Sequence, residues 1–160
     1  IRSVREKIKG RDLSLIFEPG RSISANSGVL LTKVQFLKPN EHKNFAIIDA
    51  GMNDLIRPSL YSAWQNIQLI EPSKVEVKTW DLVGPICETG DFLGKDRALA
   101  LEQNSVVAVM GSGAYGFTMS SNYNTRNKPC EILVDGDKVH VIGKRQTIEQ
   151  QLENEQLINE

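Results

Sequence analysis

Six strand-length runs rich in β-branched residues, with no long helical segment between them, constrain this chain more than any other feature. They cover residues 29–37, 44–49, 75–83, 105–110, 131–135 and 138–142. Short strands in succession bury one face each by packing together, so the expected fold is mainly β, an antiparallel β-sandwich or barrel. The last two runs flank Asp135-Gly136-Asp137, a hairpin signal in which Gly136 is able to adopt positive φ. Short helices are expected at 58–64, behind Pro58, and at 96–102. Residues 147–157 place Ile148, Leu152 and Leu157 along a mostly polar terminal helix.

The first residues have a different texture. Ile1, Val4 and Ile8 lie at helical spacing, with Gly10 placed as a stop, and residues 13–17 form a nearly all-apolar run expected to be a strand buried on both faces. A helix feeding a buried strand is a fragment of an α/β arrangement that cannot cover itself. Residues 1–27 are therefore read as the end of a β/α domain, and 28–160 as a β-domain with a C-terminal helix.

With 160 residues, the chain is long enough for one well-cored domain or for a domain and part of another. A net charge of -1 does not supply the clustered Lys and Arg that nucleic acid requires. No apolar run reaches the length that spans a bilayer, and the N-terminus lacks the apolar core of a signal peptide, so the expected compartment is the cytoplasm. Cys87 and Cys130 match no metal spacing, and a chain of this size does not need a disulfide staple. His42 and His140 have no companion ligands at metal spacing, and His140 alternates with Val139 and Val141 as a solvated strand residue would. No metal site is expected.

Four polar clusters stand at strand ends or in glycine-rich connections, where sites are usually built. In Glu18-Pro19-Gly20-Arg21, the glycine lets an anion approach the backbone and Arg21 offers a planar fork for a carboxylate or phosphate. In Arg57-Pro58-Ser59-Leu60-Tyr61, a helical turn begun at Pro58 puts Arg57 and Tyr61, four apart, on one face. Cys87-Glu88 sets a thiol beside a carboxylate, before Gly90 and an Asp91 able to bind its own backbone. In Gly111-Ser112-Gly113-Ala114-Tyr115-Gly116-Phe117, three glycines flank Tyr115 as in a backbone nest for an anion. Each has a plainer reading: a surface arginine, a tyrosine at the edge of the core, a buried small thiol, glycines in bulges or turns. Taken jointly, two arginines and a tyrosine for anions, a carboxylate for an ammonium and a thiol for a proton suit a doubly zwitterionic small molecule.

These four motifs, together with His42-Lys43-Asn44-Phe45 and Ser120-Ser121-Asn122-Tyr123-Asn124, resemble the C-terminal portion of the diaminopimelate decarboxylase family over nearly the whole chain. The family belongs to the pyridoxal 5'-phosphate enzymes with alanine-racemase-like folds. The resemblance implies conversion of meso-diaminopimelate to L-lysine and CO2, with the cofactor on a β/α barrel and a β-domain supplying substrate contacts across a homodimer interface. Carried over, Arg21, Arg57 and Tyr61 would hold the carboxylate of the non-reacting centre, and Glu88 its amino group. Cys87 would return the proton to the α-carbon. Tyr115 would contact the cofactor phosphate and the substrate, and Glu18, Gly20 and Arg21 would belong to the phosphate region. No lysine here stands in the context of the family's cofactor-bearing lysine, which implies that this stretch does not decarboxylate alone. Related decarboxylases of ornithine, arginine or carboxynorspermidine, or a non-catalytic β-domain binding module, are the alternatives. Ornithine-type enzymes carry Asp after the Cys, so Glu88 favours diaminopimelate.

Overall fold

The structure, a computed structural model, describes residues 1–158. The helices α1 (Arg2–Lys7) and α2 (Arg21–Ser24) precede the strands β1 (Val29–Lys38) and β2 (Asn44–Ile48). Then come α3 (Arg57–Tyr61), β3 (Ile67–Leu69), β4 (Lys78–Val83), β5 (Phe92–Leu99) and β6 (Val106–Met110). The hairpin strands β7 (Glu131–Asp135) and β8 (Lys138–Gly143) and the helix α4 (Ile148–Leu152) complete the described chain.

Six strands form one sheet in the order β3-β6-β1-β2-β4-β5, and its two end strands approach each other, so the sheet is nearly closed on itself. The strand β1 pairs antiparallel with both β2 and β6, β6 with β3, and β4 with β5. The sheet is mixed rather than wholly antiparallel, because β2 and β4 run parallel. A parallel pair needs a crossover, and residues 49–77 provide it, carrying α3 and β3 on the way.

Alternation sends one face of each strand inward. Val34, Ala46, Ile48, Leu55, Leu82, Leu93, Val107 and Val109 are all fully buried, with Trp80 beside them. The indole of Trp80 donates to the Leu99 carbonyl at 3.1 Å, so its polar edge is satisfied within the core. The separate β7–β8 hairpin turns through Gly136 at φ 61°, as its sequence signals. Cys87 and Cys130 are free thiols.

Several expectations are corrected. Residues 13–17 form no strand, and Ile16 is 88 % exposed: a buried strand requires ladder partners, and none lies alongside among the described residues. The expected helix at 96–102 is instead the end of β5 and the turn after it. Asp96 takes φ 55° at an irregularity in the β4–β5 ladder, where its N–H donates to Asp81 Oδ1 at 2.8 Å. Lys43 Nζ reaches the same Asp81 carboxylate at 2.9 Å, so a bulge closed by side chains wins over local helix signals. Residues 75–77 lie outside β4, and the short β3 has no counterpart among the expected strands. The terminal helix is shorter than its pattern, one turn opened by a Thr147–Gln150 capping box, and Leu157 stands beyond it. The last two positions of the 28–160 assignment lie outside the described residues.

Candidate functional site

The loop from β2 into α3 and the loop between β4 and β5 are locked together by one buried carboxylate. Asp91, 3 % exposed, accepts hydrogen bonds from the Met52 N–H and the Ile86 N–H, each at 2.6 Å. Gly84 lies so close to this carboxylate that a side-chain carbon there would collide with it. Ser59 Oγ, on α3, donates to the Gly90 carbonyl. The loop bearing Cys87 and Glu88 is thus fixed to the helix bearing Arg57 and Tyr61.

A second network holds the other side of the β2–α3 loop. The Gly51 N–H donates to Asp54 Oδ2 at 2.9 Å and Asn53 Nδ2 to Asp54 Oδ1 at 3.0 Å. Arg126 donates through Nε to Asn53 Oδ1 at 2.9 Å and through its terminal nitrogen to the Asp49 carbonyl at 2.7 Å. Burial pushes the Asp54 carboxyl above the ordinary aspartate value, against the opposing pull of the Gly51 N–H and Arg126.

Two corners result. At the first, the Arg57 guanidinium lies 5.1 Å from the Tyr61 ring centroid and 5.4 Å from that of Tyr115, a cation held between two aromatic faces. Tyr115 sits at φ 60°, a conformation unusual for a non-glycine residue. A methyl group placed on Gly20 would meet the Tyr115 hydroxyl at 2.9 Å, so the chain just before α2 runs against this phenol. Glu18 and Arg21 flank Gly20 in sequence and are exposed. A guanidinium and two phenols converging in this way can bind a carboxylate or a phosphate.

At the second corner, Glu88 accepts a hydrogen bond from the Tyr123 hydroxyl at 2.7 Å. That bond raises the Tyr123 phenol above its ordinary value, so the hydroxyl keeps its proton. Glu88 and Tyr123 line a cavity of about 300 Å3 with Met52, Asn53, Ile56 and Ser121. Acceptor oxygens in such a cleft suit an ammonium group. Cys87, next to Glu88, is exposed. The corners adjoin through α3: Ile56, immediately before Arg57, lines the cavity of Glu88. The structure therefore gathers Gly20, Arg57, Tyr61 and Tyr115 at one end of α3, and fastens the Cys87-Glu88 loop against that helix.

Tyr123, Asp91, Ser59, Asn53, Asp54 and Arg126 carry this geometry without having been singled out as site residues from their spacing. The signal for Asp91 was its place after Gly90. Tyr123 sits in a polar loop 35 residues from Glu88, a separation at which no sequence periodicity reports contact.

Comparison with known proteins shows the family of the chain. Residues 16–113 match the family described as pyridoxal-dependent decarboxylase, C-terminal sheet domain. The diaminopimelate decarboxylase of Pseudomonas aeruginosa is 58 % identical over 158 residues, covering 99 % of this chain and 38 % of the relative. That of Vibrio cholerae is 64 % identical over 138 residues, covering 86 % of this chain and 33 % of the relative. Among solved structures, the Helicobacter pylori diaminopimelate decarboxylase complexed with L-lysine superimposes with a TM-score of 0.82 at 44 % identity, covering 95 % of this chain and 38 % of that one. The chain spans roughly a third to two fifths of the relatives it matches. With a matching family over most of its length and the same sheet in a solved relative, the chain belongs to the pyridoxal-dependent decarboxylases, as their C-terminal sheet domain.

Proposed function

We propose that this chain is the substrate-binding and subunit-joining part of a diaminopimelate decarboxylase, a cytoplasmic homodimer that converts meso-diaminopimelate to L-lysine and CO2. The observation that carries the reading is the pair of opposite corners flanking α3: Arg57 between Tyr61 and Tyr115, and Glu88 held by Tyr123. A substrate with an amino acid group at each end needs a cation for its distal carboxylate and an anion for its distal ammonium. Arg57 and Tyr61, joined by Arg21, take the carboxylate, and Glu88 takes the ammonium. An analogue lacking either group would leave a charged side chain without its partner, which is how such a site discriminates.

The residues present fit pyridoxal 5'-phosphate at its phosphate end. The Tyr115 hydroxyl packs where a side chain on Gly20 would stand, so a phenol donor lies against the segment that carries Glu18 and the exposed Arg21 guanidinium. When bound, the cofactor serves as the electron sink for decarboxylation. Cys87 returns a proton to the α-carbon, a general-acid task open to a thiol. Its exposure on an open loop supports a role completed by a partner subunit. No helix among the described residues is long and apolar enough to cross a membrane.

In the full-length enzyme carrying this chain, Arg57→Lys is expected to lower kcat/KM for meso-diaminopimelate at least about tenfold, because a point charge does not reproduce a planar fork stacked between two rings. Cys87→Ala is expected to lower kcat about a hundredfold or more with little change in KM. Wild-type kinetics in both variants would refute the reading.

A further inference from the structure

An exposed glutamate on a loop samples many rotamers, and fixing one costs conformational entropy that substrate binding must supply unless the protein has already done so. Glu88 is exposed, yet its Oε2 is held by the Tyr123 hydroxyl at 2.7 Å. One oxygen is thereby occupied, and the other is left for a second donor.

The segment that brings Tyr123 to this position is itself tied down on both sides. Before it, the Ser121 N–H donates to the Asn53 carbonyl at 2.9 Å. After it, Arg126 is anchored to Asn53 Oδ1 and the Asp49 carbonyl. Between these anchors Asn124 and Thr125 hold φ values of 59° and 57°. A β-branched residue in that region is sterically unfavourable and persists where its flanks are fixed by other contacts. The same loop that leads into the arginine-bearing helix thus also sets the phenol facing the glutamate.

We propose that Tyr123 is a positioning residue for diaminopimelate: it holds the Glu88 carboxylate so that its free oxygen faces the ammonium group at the non-reacting end of the substrate. The inference rests on the reading of Glu88 given above. Contacts to the non-reacting centre are the same before and during bond breaking, so weakening them changes KM and leaves kcat in place.

The test uses the full-length holoenzyme with Tyr123→Phe, Glu88→Gln and the double variant, assayed with meso-diaminopimelate. Tyr123→Phe is expected to raise KM about tenfold, the scale of a hydrogen bond to a charged group, and to hold kcat within about twofold. In the Glu88→Gln background the same change is expected to move KM by less than about twofold, because the group it positions is no longer a carboxylate. A loss of kcat at constant KM, or the full KM effect persisting in the Glu88→Gln background, overturns the inference. If Glu88→Gln weakens binding while Tyr123→Phe leaves KM unchanged, the inference alone fails. If Glu88→Gln itself leaves the kinetics at wild-type values, the reading of Glu88 fails and takes the inference with it.

Discussion

Val107 and Val109 in β6 are fully buried, whereas Val139 and Val141 in the equally β-branched β8 are 67 % and 65 % exposed. The six-stranded sheet curls until its end strands approach each other and so encloses one face, while the β7–β8 hairpin is a separate ribbon whose side chains are mostly exposed. β-Propensity is the same in both. What differs is the number of neighbouring strands, and a two-stranded ribbon has too few to shelter a core. The candidate site is built on loops rooted in the first region, where backbone positions are fixed by burial and by buried polar bonds.

This contrast can be broken by substitution. Leu93→Ala, at a fully buried position of β5, is expected to cost about 3 to 4 kcal/mol in urea unfolding, through lost transfer energy and a residual cavity. A cost under about 1 kcal/mol would mean that the enclosed face repacks freely.

Asp91→Ala is expected to cost about 2 to 3 kcal/mol, because it strands the Met52 and Ile86 N–H groups that the carboxylate satisfies. It should also loosen the Cys87-Glu88 loop, seen as faster amide exchange at 84–90 with the strands still protected. Uniform loss of protection across sheet and loop would show instead that Asp91 supports the whole fold.

A smaller effect comes from Asp54. Its carboxyl is raised above its ordinary value of 3.8, mainly by burial. The folded state therefore binds this proton more tightly than the unfolded chain, so the associated stability is present below about pH 3.8 and is lost as pH rises through the folded-state value. Relative to wild type, Asp54→Asn should gain stability as pH rises through that window. A difference independent of pH would remove Asp54 from the account.

The smallest effect is expected in the hairpin. Val139→Thr should change unfolding free energy by no more than about 0.5 kcal/mol, as at an exposed position. A loss above about 1.5 kcal/mol in the full-length enzyme would show that this face is covered there, and would dissolve the contrast.

Much of the fold was legible in sequence where signals were local. Pro58 marked α3 and Gly136 the hairpin turn, and five of the strands match their runs closely because β-branched residues alternate there. The run 13–17 misled because apolarity reports a wish to be buried and not the presence of a partner strand. The 96–102 error came from a bulge closed by Asp81, a residue contributed by another strand. In the site, Arg57 and Tyr61 were readable together from helical spacing. Tyr123 was not, since its partner lies across the fold.

By itself, the sequence determined the β-rich character, the turn positions and the chemical inventory of the site: a guanidinium, phenols, a thiol and a carboxylate. Tertiary structure decided that one sheet nearly closes while the hairpin stays apart, that β2 and β4 run parallel, and that Tyr123 meets Glu88. The reason is physical: propensity and turn chemistry act over a few residues, whereas burial, ladder pairing and hydrogen bonds between distant loops exist only once the chain has brought those residues together.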